Sequence, residues 1–266
     1  MSRARSILVL LPLLLPCVPV AGQEQGAVPP KTGTPVLIEL FTSEGCSSCP
    51  PADAFLKKLD VLQPITGGQA IVLSEHVDYW NYEGWTDPYS SGSFSIRQAA
   101  YVRALGGDSP YTPEFIVNGK TEMDLAKPGQ VSQILLDAAK APQLPVSIGA
   151  LRIEGDSPAV LHAHIDADGT ATRHNADVFA AIALNHAESQ VLHGENGGRR
   201  LEHAAVAVDL VRVGKLEKGK PFSQDFQTKL RPGLDAKNLR LIVFIQESGQ
   251  GTVLGAALQE VGPATK

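Results

Sequence analysis

Cysteine is scarce in this sequence: the 266 residues contain three, Cys17, Cys46 and Cys49. A disulfide-built scaffold is thereby excluded, since such folds spend several cross-links on a short chain. No second Cys-x-x-Cys and no His-x-x-x-His occurs, so the spacing of a four-ligand structural zinc site is missing too. Basic charge is in deficit, with 23 Lys and Arg against 28 Asp and Glu and a formal net charge of −5. That argues against a nucleic-acid partner, because phosphate binding needs a basic face. Long apolar runs are lacking as well. The longest, Ile7 to Val20, is broken by three prolines and falls short of the roughly 20 residues that a spanning helix needs. Neither a Gly-rich phosphate loop nor a serine-hydrolase elbow is present.

What is there describes a globular, exported chain. Hydrophobic residues make up 43% and charged residues 19%, enough apolar material for real cores. "MSRARSILVLLPLLLPCVPVAG" places Arg3 and Arg5 before the apolar run and ends on small residues, which is the make-up of a secretory signal peptide over residues 1–22, cleaved after Gly22. A membrane anchor is the competing reading of that segment, and lipidation at Cys17 a third, although "LLPC" has proline where a small residue is expected. Loss of both arginines brings the formal charge to −7. The expected location is the periplasm. Residues 23–34, polar and rich in Gly and Pro, read as a flexible leader.

Along the rest of the chain the hydrophobic period changes once. "PVLIELF" (35–41) and "QAIVLSEHV" (69–77) read as buried strands, and between them "PPADAFLKKLDVL" carries Ala54, Phe55, Leu59 and Leu62 at helical spacing behind a first-turn proline. An aromatic stretch and a helix follow over 78–107, with Phe94, Ile96, Ala100, Val102 and Leu105 as the expected buried face. "EFIVNG" is a short strand ending in an Asn118-Gly119 turn, with a second strand expected near Thr121–Leu125, and "QVSQILLDAAKA" is a last helix. After the boundary "APQLP" (141–145), about seven segments alternate with period two, the pattern of an antiparallel sandwich. The order of the first part, with a Cys-x-x-Cys between the first strand and helix, resembles the thioredoxin fold. The expectation is therefore an α/β thioredoxin-like domain over 35–141, with its helical insertion at 78–107, followed by an all-β immunoglobulin-like sandwich over 145–262.

"CSSC" (46–49) carries the chemistry, and three uses compete for it. A structural staple gains little, because the entropic benefit of a cross-link grows with loop length and this loop is four residues. In a redox role, Cys46 meets the N–H groups and positive dipole of the following helix, which favour thiolate, while Cys49 one turn on serves as the resolving thiol. In a metal role, Cys46 and Cys49 would be joined by His76, near Asp78 at the end of the second strand. Elsewhere, His162 and His164 share one face of a strand, as a chelating pair or as solvated surface. Tyr79, Trp80, Tyr82, Trp85 and Tyr89 either form a lid or cover the insertion's own core.

"ELFTSEGCSSCPPAD", "LSEHVDYWNYEGWTDPYSS", "RQAAYVRALGG", "YTPEFIVNG" and the distant "GENGGRRLEH" together resemble the DUF1223 family, exported bacterial proteins of unknown function assigned to the thioredoxin-like superfamily. The likeness to thioredoxin-like proteins implies a cis proline at Pro113 facing the cysteines, with a trans proline that starts the strand as the competing reading. It also implies a proton-moving acid at Glu39, a carboxylate out of character in its strand, which competes with a solvated or salt-bridged Glu at a strand edge. Two departures from ordinary thioredoxin-like oxidoreductases stand out: Gly45 where an aromatic often precedes the motif, and Ser47-Ser48 between the cysteines. Glu195, Asn196, Arg199 and Arg200 of "GENGGRRLEH" either bind a partner or lock a long turn. The functional expectation is a thiol-disulfide oxidoreductase acting on protein or small-molecule thiols, with Cys46, Cys49, Pro113 and Glu39 as its site. It needs no soluble cofactor, since the disulfide itself carries two electrons. The alternatives are a copper or other soft-metal binding module and a redox-inactive interaction protein.

Overall fold

The computed structural model describes residues 33–155 and 158–261. The expected signal peptide, its cleavage site, Cys17 and most of the leader lie outside these residues. Strands β1 (Thr34–Thr42) and β2 (Gly68–His76) pair in parallel, in register from Thr34↔Gly68 to Thr42↔His76. Both are covered on both faces, which is why their sequences are nearly continuous apolar runs. Helix α1 (Pro50–Leu62) makes the crossover that a parallel pair requires. Its Leu56 and Leu59 pack on Ile38, Leu40 and Val72, beside Val131 and Leu135 of helix α3 (Pro128–Lys140).

Strand β3 (Glu114–Val117) runs antiparallel to β1 and forms a hairpin with β4 (Thr121–Met123). Asn118 and Gly119 take the left-handed conformations of that turn, φ 47° and 70°. The side chain of Asn118 accepts a hydrogen bond from the Leu37 N–H, which ties the turn to β1.

The second half overturns the expected arrangement. Strands β5 (Val146–Glu154), β6 (Val160–Ala167), β7 (Ala176–Gln190), β8 (Arg200–Leu216), β9 (Phe222–Lys229), β10 (Leu239–Glu247) and β11 (Val253–Glu260) fall where the alternation put strands. They do not build a separate immunoglobulin-like sandwich behind a thioredoxin-like α/β domain. Four of them continue the first sheet, in the order β11-β10-β7-β8-β2-β1-β3-β4, and only β5-β6-β9 form a second sheet. The join is a single parallel bridge, Ser74↔Val206.

One core crosses that join: Leu37, Ile71 and Leu73 pack with Phe94, Ala181, Ala183, Ala207, Ile242 and Phe244. The physical reason is the outer edge of β2, which an isolated α/β domain would leave unpaired and which β8 covers instead. The described residues form one compact unit. Among the described residues no helix is long and apolar enough to cross a membrane.

Helix α2 (Gly92–Leu105) also differs from expectation. Its buried side chains are Phe94, Arg97, Gln98, Tyr101 and Val102, whereas Ile96 is 72% exposed and Leu105 lies at the surface. The helix turns a polar face inward because two buried carboxylates wait there.

Candidate functional site

The chain leaving β1 turns through Thr42-Ser43-Glu44-Gly45 and enters the cysteine motif, where the Cys46 N–H donates to Ser43 O and the Cys49 N–H to Cys46 O. Cys49 caps α1, and Pro50 and Pro51 occupy first-turn positions whose N–H groups would have no partner within the helix. Cys46 and Cys49 form a disulfide with Cα atoms 5.4 Å apart. The Ser48 hydroxyl lies 3.3 Å from Cys46 Sγ, and the Thr112 carbonyl oxygen 3.9 Å from it. The Thr112–Pro113 bond is cis, as the resemblance implied, so Pro113 follows directly on the carbonyl that faces the disulfide.

Both cysteines are fully buried, although Ser47 and Ser48 between them are exposed. Trp80 packs against the backbone of Gly45, where a Cβ would lie 2.9 Å from the Trp80 Cβ, and its indole N–H donates to Thr112 Oγ1 at 2.7 Å. Glycine before Cys46 thus makes room for an aromatic that arrives from the insertion.

"GENGGRRLEH" closes the site from the other half of the chain. Asn196, fully buried in the turn between β7 and β8, donates from Nδ2 to Glu44 O and Cys46 O, both at 2.9 Å, and accepts from Arg199 Nη1. Glu195 accepts the Ser47 N–H at 2.9 Å, and its bonds from Ser47 hold its carboxyl below the usual range. Arg200 pairs with Glu188 across the β7–β8 ladder. This segment clasps the loop that holds the disulfide.

Behind the motif lies a buried ionic cluster that the sequence reading missed. His203 of β8 sits between Glu44 Oε1 at 3.4 Å and Asp53 Oδ1 at 3.5 Å. Burial opposes its charge, but the attraction of the Asp53 and Glu44 carboxylates outweighs it and raises its pKa to about 9. His76 Nδ1 lies 2.7 Å from Asp87 Oδ2, and the His76 and His203 rings meet edge to face at 4.7 Å. Burial would raise the Asp87 carboxyl; His76 and the N–H groups of Glu44 and Tyr89 hold it low instead.

Glu44 also accepts from the Trp85 indole, and Asp53 from Thr42. His76 is therefore engaged with Asp87, and among the described residues no group of three His, Cys, Asp or Glu side chains is placed to hold a metal ion. The signals for this cluster were disguised: Asp53 reads as ordinary first-turn charge, and His203 as the end of a polar turn.

Glu39 is fully buried on β1 and belongs to a second network. Its Oε1 accepts from Arg97 Nε and Nη2 at 2.8 and 2.5 Å, and its Oε2 from Tyr101 at 2.6 Å. Arg97 also approaches Glu75 at 3.5 Å, donates to Gln246, and lies over the rings of Tyr101, Phe179 and Phe244. Burial and the neighbouring Glu39 push the Glu75 carboxyl well above its usual value. The network thus pairs Glu39 with Arg97 and leaves Glu75 buried beside that pair. Among the described residues Glu39 has no hydrogen bond to either cysteine.

On the small sheet, His164 bonds Asp225 at 2.7 Å and Ser223 at 3.0 Å, while His162 faces Glu154. The two histidines have separate carboxylate partners at the surface.

Comparison with known proteins follows the same outline. A crystal structure of an Agrobacterium tumefaciens protein superposes with a TM-score of 0.67 at 29% identity, over 89% of this chain and 98% of that one. HBP35 of Porphyromonas gingivalis shares the fold at 15% identity, with a TM-score of 0.62 over 88% of this chain and 77% of that one. No curated protein matches. Residues 37–246, from within β1 into β10, match the family described as protein of unknown function (DUF1223), and it is to this family that the chain belongs.

Proposed function

We propose that this is an exported, periplasmic thiol-disulfide oxidoreductase of protein or small-molecule thiols. The observation that carries the reading is the placement of the Cys46–Cys49 disulfide at the start of α1, with the carbonyl of Thr112, the residue before cis Pro113, facing the Cys46 sulfur. In the exchange, a partner thiolate attacks Cys46 Sγ, the Cys46–Cys49 bond breaks, and Cys49 leaves as a thiolate that takes up a proton. A second partner thiol then attacks the mixed disulfide and releases Cys46. The partner is oxidised by two electrons and the protein reduced; in reverse, Cys46 attacks and Cys49 resolves. Glu39 acts at a distance in this reading, through its hold on β1.

Full burial of both sulfurs favours a second reading, a disulfide that stays closed and serves an interaction protein. The reduction potential separates the two. Equilibrated against glutathione buffers, an exchange protein falls within roughly −120 to −270 mV, whereas a value below about −300 mV marks an inert bond and ends the catalytic reading. Trp80, packed on Gly45 and bonded to Thr112, flanks the disulfide and in the catalytic reading gates it. Trp80→Ala is expected to speed reduction of the disulfide by dithiothreitol roughly tenfold at unchanged potential, since access limits exchange as well as sulfur chemistry. An unchanged rate would mean that Trp80 does not gate the sulfur.

A further inference from the structure

Among the described residues, Glu195 is the one carboxylate that bonds the backbone of the Cys-x-x-Cys motif itself. Its Oε2 takes the Ser47 N–H at 2.9 Å, one peptide bond beyond Cys46. Standard bond lengths then hold the carboxylate within about 8 Å of Cys46 Sγ.

The Glu195 side chain is exposed, but the backbone that carries it is pinned. Asn196, the next residue, is fully buried and donates to Glu44 O and Cys46 O. Within the turn the Val191 N–H donates to Arg199 O, the Gly198 N–H to Val191 O and the Gly197 N–H to Gly194 O. Gly194, at φ 75°, sits where a Cβ would come within 3.1 Å of Glu83 O and 3.2 Å of Trp85 Cβ, so the turn is seated on the 78–91 segment.

A thiolate at Cys46 would need donors, and the motif offers few. The N–H groups of Cys46 and Cys49 are taken by Ser43 O and Cys46 O, and that of Ser47 by Glu195. The Ser48 hydroxyl lies 3.3 Å from Cys46 Sγ as a donor, whereas the Thr112 carbonyl oxygen facing the same sulfur is an acceptor. Other charges around the motif have partners of their own. Glu44 and Asp53 flank His203, Asp87 pairs with His76, Arg199 bonds Asn196, and Glu114 accepts from Gln98. Glu195 has no cation at ion-pair distance among the described residues, and its bonds from Ser47 keep it ionised.

We propose that Glu195 is a positioning residue which, acting through Ser47, disfavours a thiolate at Cys46 and biases the pair toward the closed disulfide, a role that rests on the exchange reading above. Reduction by two thiols breaks the Cys46–Cys49 bond and joins the donors in a disulfide. One thiolate remains on Cys46, one proton goes to Cys49 and one to solvent. The new negative charge faces Glu195, and like charges oppose ionisation. The Debye length at physiological ionic strength is about 8 Å, so salt screens this repulsion only in part. A reduced form made less stable in this way is the stronger reductant.

Titration of the full chain carrying Cys49→Ser, followed by the ultraviolet absorbance of the thiolate, reads Cys46 alone and does so whatever the potential of the pair. Glu195→Gln keeps an acceptor for the Ser47 N–H and removes the charge. It should move the Cys46 titration to lower pH, with a thiolate-to-thiol ratio on the acid limb roughly threefold higher, the modest size expected of one solvent-exposed charge. Glu195→Ala also frees the N–H and should move the curve further. In 1 M salt, where the Debye length falls to about 3 Å, the wild-type and Glu195→Gln curves should converge. Curves that coincide at low salt overturn the role of Glu195. So does a shift that 1 M salt leaves intact, which would mark a rearranged turn. A potential of the intact pair below about −300 mV ends the exchange reading instead, and the titration is independent of it.

Discussion

Arg97→Met is expected to cost about 3–5 kcal/mol of folding stability, the usual result of removing one partner from a buried ion pair. Arg97 is 7% exposed, and it is the cation beside both Glu39 and Glu75. Methionine fills the space among Tyr101, Phe179 and Phe244, so the loss is electrostatic more than one of packing. With the guanidinium gone, the Glu75 carboxyl, already pushed up by burial, loses the neighbouring cation that opposes that shift. A carboxyl whose folded pKa is raised gives stability that is present below its unfolded value, near 4.5, and lost as pH rises through the folded value. The defect should therefore shrink toward pH 4.5 and be full at pH 7. Urea unfolding at the two pH values measures it, and adding Glu39→Gln and Glu75→Gln to Arg97→Met should restore part of the loss at pH 7. A pH-independent defect of the same size would point to packing as its cause.

The same network shows what the sequence could and could not express. Glu39 was conspicuous because a carboxylate does not belong in "PVLIELF", but its partner was hidden. In α2 the apolar spacing of Phe94, Ile96, Ala100 and Leu105 outweighed Arg97, and helical periodicity records hydrophobicity without recording buried charge. Strand positions in the second half were legible for the opposite reason, since alternation is a local property. Which edge a strand joins is not local: nothing within β8 says that Val206 meets Ser74 across 132 residues. The disulfide motif, the proline before β3 and the Asn118-Gly119 turn were readable because each imposes a backbone geometry at its own position. "GENGGRRLEH" was noticed as a motif, yet its role in holding the Cys46 loop depends on a tertiary contact between residues 150 apart.

His203 sets the second large effect, a loss of stability on the alkaline side. The groups facing it are Glu44 and Asp53 at ion-pair distance, and the His76 and Tyr89 rings, with Asp87 behind His76. Its pKa of about 9 in the folded protein exceeds the ordinary 6.5, so the protonated ring contributes stability that is complete below pH 6.5 and disappears as pH rises to about 9. A difference of this size corresponds to roughly 3 kcal/mol, taken as an order of magnitude for a group that is almost fully buried. Between pH 6 and pH 9 the unfolding free energy of the wild-type chain should exceed that of a chain without the His203 titration by a margin that falls by about that amount. His203→Gln keeps hydrogen-bonding capacity without the titration; it should be less stable at pH 6, close to wild type at pH 9, and shallower than wild type between them by the His203 share of the slope. Glu75, whose pKa is also raised, adds a slope of the same sign, but it is present in both proteins and cancels in the comparison. A variant that kept the full wild-type slope would remove His203 as its source and leave Glu75 as the group that titrates.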